Sequence, residues 1–128
     1  MTQKDKELLL KDLCARLPYG VKGLHRGQVH ELFTIDGREV NSACIQVDGY
    51  DAWFSVDTFK PYLRPMSSMT KEEEDEYMIA RQKDIAEAYI HATPQNAIDW
   101  LNAHHFDYRG LIEKGLALEA PEGMYKVD

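Results

Sequence analysis

The chain has 128 residues, of which 44% are hydrophobic and 29% charged, and a formal net charge of −7. That is the length and balance of one folded globular domain, and it argues against a disordered or membrane-embedded chain. Residues 1–64 carry as many basic as acidic side chains, so residues 65–128 hold all the excess negative charge; this surface repels phosphate backbones and argues against nucleic acid as a partner.

The pattern predicts one domain over 1–128, with a helix-plus-sheet part at 1–66 and a helical part at 67–128. An opening helix of about 15 residues is capped by Thr2 with Asp5 three positions on. Leu9, Leu10, Leu13, Cys14 and Leu17 form its apolar stripe, and Pro18 ends it. Strands are expected near 20–25, 28–35, 40–47 and 50–56. The pairs Asp36-Gly37 and Asp48-Gly49 supply the positive backbone angles of hairpin tips. In residues 29–35, Val29, Glu31, Phe33 and Ile35 alternate with His30, Leu32 and Thr34, while Ala43, Ile45 and Val47 share one face. Strands this short predict a small antiparallel sheet or an SH3-like partial barrel under the first helix.

Pro61 and Pro65 in "DTFKPYLRPM" argue against a central strand and for a tight turn or one turn of 3₁₀ helix. A second helix starts at Thr70, where Glu73 completes a capping box, and Met78, Ile79, Ile85, Ala86, Tyr89 and Ile90 are its expected inward residues. A third is capped by Thr93, has Pro94 at its first position, buries Ala97, Ile98, Trp100 and Leu101, and ends near His104. Gly110 and Gly115 bracket a short apolar piece, and a loose tail follows. The fold class is therefore α+β, with two or three C-terminal helices.

No apolar run is long enough for a signal peptide or a membrane span. Cys14 and Cys44 lack metal or redox spacing and read as small buried hydrophobes, so a cytoplasmic location is expected.

Three stretches, "ELLLKDLCARLPYGVK", "TFKPYLRPMSSMT" and "IDWLNAHHFDYRGLIEKGLALEAPEGMY", together about half of the chain, resemble a set of short uncharacterised proteins of phages and prophages of gut bacteria. The resemblance implies a mobile-element setting and carries no activity, cofactor or catalytic residue.

Several groups of residues are chemically suggestive. Trp53 and Tyr62 beside Arg64 would make an aromatic surface for a protein partner, and the acidic run from Glu72 to Glu76 offers a second surface. His104, His105 and Asp107, with His91 approaching from the preceding segment, are the residues a small metal-dependent or acid–base hydrolase would use. Adjacent histidines on a helix point about 100° apart, however, and a histidine at a helix C-terminus has a structural use with the free carbonyls. Asp107 and Arg109 read as a backbone cap and an ion-pair partner. Lys22, Arg26 and Arg38 would serve a nucleic-acid accessory protein. No nucleophile, phosphate-loop or dinucleotide motif is present, and no cofactor or metal is assigned. The reading these residues favour is a protein-interaction module rather than an enzyme.

Overall fold

The computed structural model describes residues 1–88 and 94–125. Helix α1 (Gln3–Arg16) begins with the expected capping box: Asp5 N–H donates to Thr2 Oγ1, and Thr2 N–H donates to Asp5 Oδ2, both at 3.1 Å. A 3₁₀ turn, Leu17–Tyr19, takes in Pro18. Leu9, Leu10 and Leu13 are buried. Cys14 is exposed and Cys44 half-buried, contrary to the expectation for both. The inward helical positions that Cys14 would have shared belong to Asp12 and Arg16, both fully buried.

The strands are β1 (Lys22–His25), β2 (Gln28–Asp36), β3 (Cys44–Val47), β4 (Phe54–Ser55), β5 (Phe59–Leu63) and β6 (Leu118–Glu119). They form one open sheet in the order β4-β3-β2-β1-β5-β6, antiparallel except for the parallel β5–β6 pair. The fold is α+β as the sequence indicates, with a mixed sheet in place of a purely antiparallel one. Its inner face, with Val21, Leu32, Ala43, Ile45, Val47, Phe59 and Leu63, packs on Leu9 and Leu13 of α1 and on Leu111, Leu116 and Ala117.

Three local features depart from the simple strand pattern. Between Leu32 and Thr34 the β2–β3 register shifts, which lets Leu32 and Ile35 both pair with inward residues of β3 and leaves Phe33 exposed. Gly49 takes the expected positive φ of +84°, whereas Gly37 does not; the backbone at Gly37 instead passes so close to α1 that a Cβ would lie 3.0 Å from the Leu10 side chain. Gly23 is needed for space as well, because its Cβ would come within 2.3 Å of the Phe59 ring.

Residues 59–63 are an interior strand despite Pro61. The ladder tolerates the proline because alternate residues of a strand address opposite neighbours. Leu63 C=O accepts from Ala120 N–H, so Pro61, of the same parity, turns its nitrogen to the β6 side, and β6 begins only opposite Tyr62.

Helix α2 (Lys71–Glu87) carries the second capping box, with Glu73 N–H donating to Thr70 Oγ1 at 3.2 Å and Thr70 N–H to Glu73 Oε1 at 3.0 Å. Helix α3 (Asn96–Ala103) starts two residues after Pro94, and its first N–H groups are capped from another helix: Asn96 and Ala97 donate to the two carboxylate oxygens of Asp84 at 2.8 and 3.0 Å. Within it Ala97 and Leu101 are buried, Trp100 is half-buried and Ile98 is exposed. The expectations for Tyr89, Ile90, His91 and the Thr93 cap fall outside the described residues. Residues 111–115 form turns, and Gly110 and Gly115 both have positive φ. The tail is tied down as far as Tyr125, whose hydroxyl accepts from Lys22 N–H at 2.9 Å and lies 2.7 Å from Tyr62 O.

Candidate functional site

The segment His104–Ile112 follows α3 and lies beside the end of β5. Arg64 N–H donates to His105 O and Asp107 N–H to Arg64 O, both at 2.8 Å, so residues 105–107 continue the pairing past Leu63 through a parallel bridge between Arg64 and Phe106. His104 Nδ1 lies 2.8 Å from Trp100 O, with its ring stacked on Trp100 at 4.0 Å. Asp107 uses both carboxylate oxygens on backbone donors, Leu111 N–H at 2.9 Å and Ile112 N–H at 3.0 Å. Arg109 donates to Asp12 Oδ1 at 2.8 Å. His105 has a positive φ of 60°, is buried, and stacks on Tyr125 at 3.8 Å. Burial and the charge of Arg16 push its imidazole down to about 4, against a backbone hydrogen bond with Tyr19 that favours the proton.

The geometry separates the two histidines by stacking them on different aromatic rings, and Asp107 faces backbone N–H groups. Among the described residues no three His, Cys, Asp or Glu side chains gather to hold a metal ion. His91, the fourth residue of that expected cluster, is outside the described residues.

Arg64 is held by Glu73 through two hydrogen bonds of 2.7 Å, and its guanidinium lies 4.2 Å above the Phe106 ring. The Arg64 contact holds the Glu73 carboxyl down to about 2. Trp53, just before β4, is half-exposed, whereas Tyr62 is half-buried on β5; β3, β2 and β1 lie between these strands in the sheet order. Lys22 begins β1 and Arg26 lies in the turn after it, Arg26 over Phe54 and Arg38 bonded to Asp36 at 3.0 Å, so the three basic residues form no common patch.

Helix α2 presents a different kind of surface. Its inward stripe is Glu73, Tyr77, Ala80, Asp84 and Glu87, a repeat of three and four residues that is mostly polar. The apolar residues expected inside are outside: Met78 is 47% exposed, Ile79 56% and Ile85 70%, and Ala86 is exposed beside them. The physical reason is that the polar stripe has dedicated partners. Glu73 holds Arg64, Asp84 caps α3, and Glu87 accepts from Asn96 Nδ2 at 2.9 Å. The three carboxylates meet a charge, a pair of orphan N–H groups and a side-chain amide respectively, interactions the apolar face cannot make.

A second cluster escaped sequence reasoning. His25 is fully buried at the end of β1 and His30 lies on β2, with ring centres 6.0 Å apart; Tyr50 and Phe54 pack against both or one of them. The signal was legible in "HRGQVH": a two-residue turn at Arg26-Gly27 pairs His25 with Gln28 and Gly23 with His30, which puts both imidazoles on one sheet face. The Asp12–Arg16 pair was readable too, as an i, i+4 pair on the side of Leu9 and Leu13.

No family model, curated protein or solved structure matches the chain. No helix among the described residues is long and apolar enough to cross a membrane.

Proposed function

We propose that this chain is a protein-interaction module whose recognition element is the outward face of α2. The observation that carries the reading is the inverted amphipathicity of that helix, whose apolar side faces solvent while its polar side is bonded to the domain. Exposed apolar helix faces are what helix-in-groove recognition uses, with anchors at spacings of three, four and seven. Met78 and Ile85 are seven apart, and Ile79 and Ala86 repeat that spacing alongside them. The first turns add Glu72, Glu74, Asp75 and Glu76, so the complementary partner is a protein with an apolar groove and a basic rim.

The sheet supplies a rigid base for this helix. In support of an SH3-like curl, β4 passes to β5 through one 3₁₀ turn, Val56–Thr58, and β5 pairs with β1. The phage or prophage setting enters the proposal from the sequence resemblance, and it selects the lysate to probe. Immobilised protein should retain a defined protein from a lysogenic gut-bacterial host, and Met78→Glu with Ile85→Glu should abolish that retention. Because both side chains are exposed, the thermal midpoint should stay where it is. Retention unchanged by the paired substitutions would move the binding surface elsewhere.

A further inference from the structure

We propose that His25 and His30 form a binding site for a first-row transition-metal ion, ligated through Nε2 of both rings. His25 Nδ1 lies 3.3 Å from Thr58 O and 3.2 Å from Thr58 Oγ1. That hydroxyl donates its proton to Ser55 O at 2.7 Å, so both Thr58 oxygens face His25 as acceptors. His25 therefore carries its proton on Nδ1 and a lone pair on Nε2. The Nε2 atom is buried and has no hydrogen-bond partner, a costly state for a polar atom in the interior.

His30 repeats the arrangement. Its Nδ1 lies 3.2 Å from Asp48 Oδ1, and that carboxylate is positioned by Glu31 N–H at 2.9 Å. A carboxylate accepts only, so His30 too holds its proton on Nδ1 and leaves Nε2 free. One imidazole tied to a backbone carbonyl and another to a carboxylate is the outer-shell pattern of metal-binding histidines, where it fixes the tautomer and raises ligand basicity. Two imidazoles at about 2.0–2.1 Å from one ion have ring centres roughly 5–6 Å apart, close to the 6.0 Å separation here.

The ligand class follows from the donors. Two imidazole nitrogens suit copper, nickel and zinc and do not suit magnesium or calcium, and the affinity should rank copper(II) above nickel(II) and zinc(II). Two protein ligands leave the remaining positions to water or to a donor from a bound partner. Tyr50 packs beside the pair, its ring 5.3 Å from that of His30 and 6.5 Å from that of His25, and is itself 44% exposed.

Nitrogen-15 NMR of the metal-free, tag-free chain tests the tautomers first: both rings should show the Nδ1–H form. A protonated Nε2 on neutral His25 overturns the proposal. One equivalent of copper(II) or zinc(II) chloride should then perturb His25 and His30 together, with zinc shifting both Nε2 resonances. His30→Gln should remove this binding, Asp48→Asn should weaken it roughly tenfold or more, and His104→Gln should leave it intact. His25→Gln is the less useful variant, since a fully buried side chain at a strand end is also structural. Binding that survives His30→Gln at unchanged affinity, or the absence of any binding to the folded wild type, overturns the site.

Discussion

His105 joins an unusual backbone angle to an unusual ionisation state. Its ring stacks on Tyr125 and feels the charge of the buried Arg16, so a second positive charge is unwelcome there. An unfolded histidine titrates near 6.5 and this one near 4, so between those values the unfolded chain binds more protons than the folded one. Stability contributed by neutral His105 is thus complete above pH 6.5 and is lost as pH falls towards 4, with an amplitude of about 3 kcal/mol. Glu73 has the same sign in a lower window, from its ordinary value near 4.5 down to about 2. Urea unfolding from pH 7 to 4.5 should reveal the slope, and His105→Asn, which tolerates a positive φ, should flatten it. An unchanged slope in that variant would assign the acid sensitivity to another group. The sequence marked the histidine but not its burial, because the reversal that turns His105 inward depends on the pairing of Arg64 with residues 105–107.

At the scale of elements, the capping boxes of α1 and α2 are legible, while the capping of α3 by Asp84 and the orientation of α2 are not. Both capping boxes follow from local chemistry, since a Thr and an acid three residues apart meet whenever the helix forms. Periodicity in α2 identifies which residues share a face, but not which face turns inward, and the deciding partners are 9 to 13 positions away in sequence. Pro61 was misleading for a similar reason: whether its missing N–H matters depends on where β6 stops. These assignments make opposite predictions for α2. Ile85→Ala should change stability by no more than about 0.5 kcal/mol, where an inward isoleucine would cost about 2–5. Thr70→Ala should cost about 1 kcal/mol, since it removes one half of a capping box whose other half, Glu73, stays bonded to Arg64. Chemical denaturation of Ile85→Ala decides between the two orientations, and the same measurement on Thr70→Ala checks the cap.

At the scale of the molecule, the fold class and the order of its parts follow from runs of turn residues and helix signals, whereas the tie between its ends is non-local. Asp12 and Arg16 of α1 are both fully buried, with Arg16 Nε donating to Asp12 Oδ2 at 2.8 Å and Nη2 to Phe106 O at 2.6 Å; Arg109 reaches Asp12 from the C-terminal segment. One aspartate thus serves two arginines, and both lie against Tyr108. Asp12→Ala leaves Arg16 charged in the interior and should cost about 3–5 kcal/mol, a large share of the stability of a domain this size. Most of that cost reflects an uncompensated charge, so Asp12→Leu combined with Arg16→Met, which removes both members, should recover much of it. Arg109→Ala should be milder, because its side chain reaches solvent. Urea unfolding followed by Trp100 fluorescence in the C-terminal half, in a Trp53→Phe background, and by far-ultraviolet dichroism for the whole chain should give coincident transitions in the parent and the paired variant. Separate transitions would mean that α1 and the sheet do not depend on residues 104–112. A loss below 1 kcal/mol in Asp12→Ala would mean that apolar contacts of Leu111 and Leu116 with the core hold the ends together without the ionic tie.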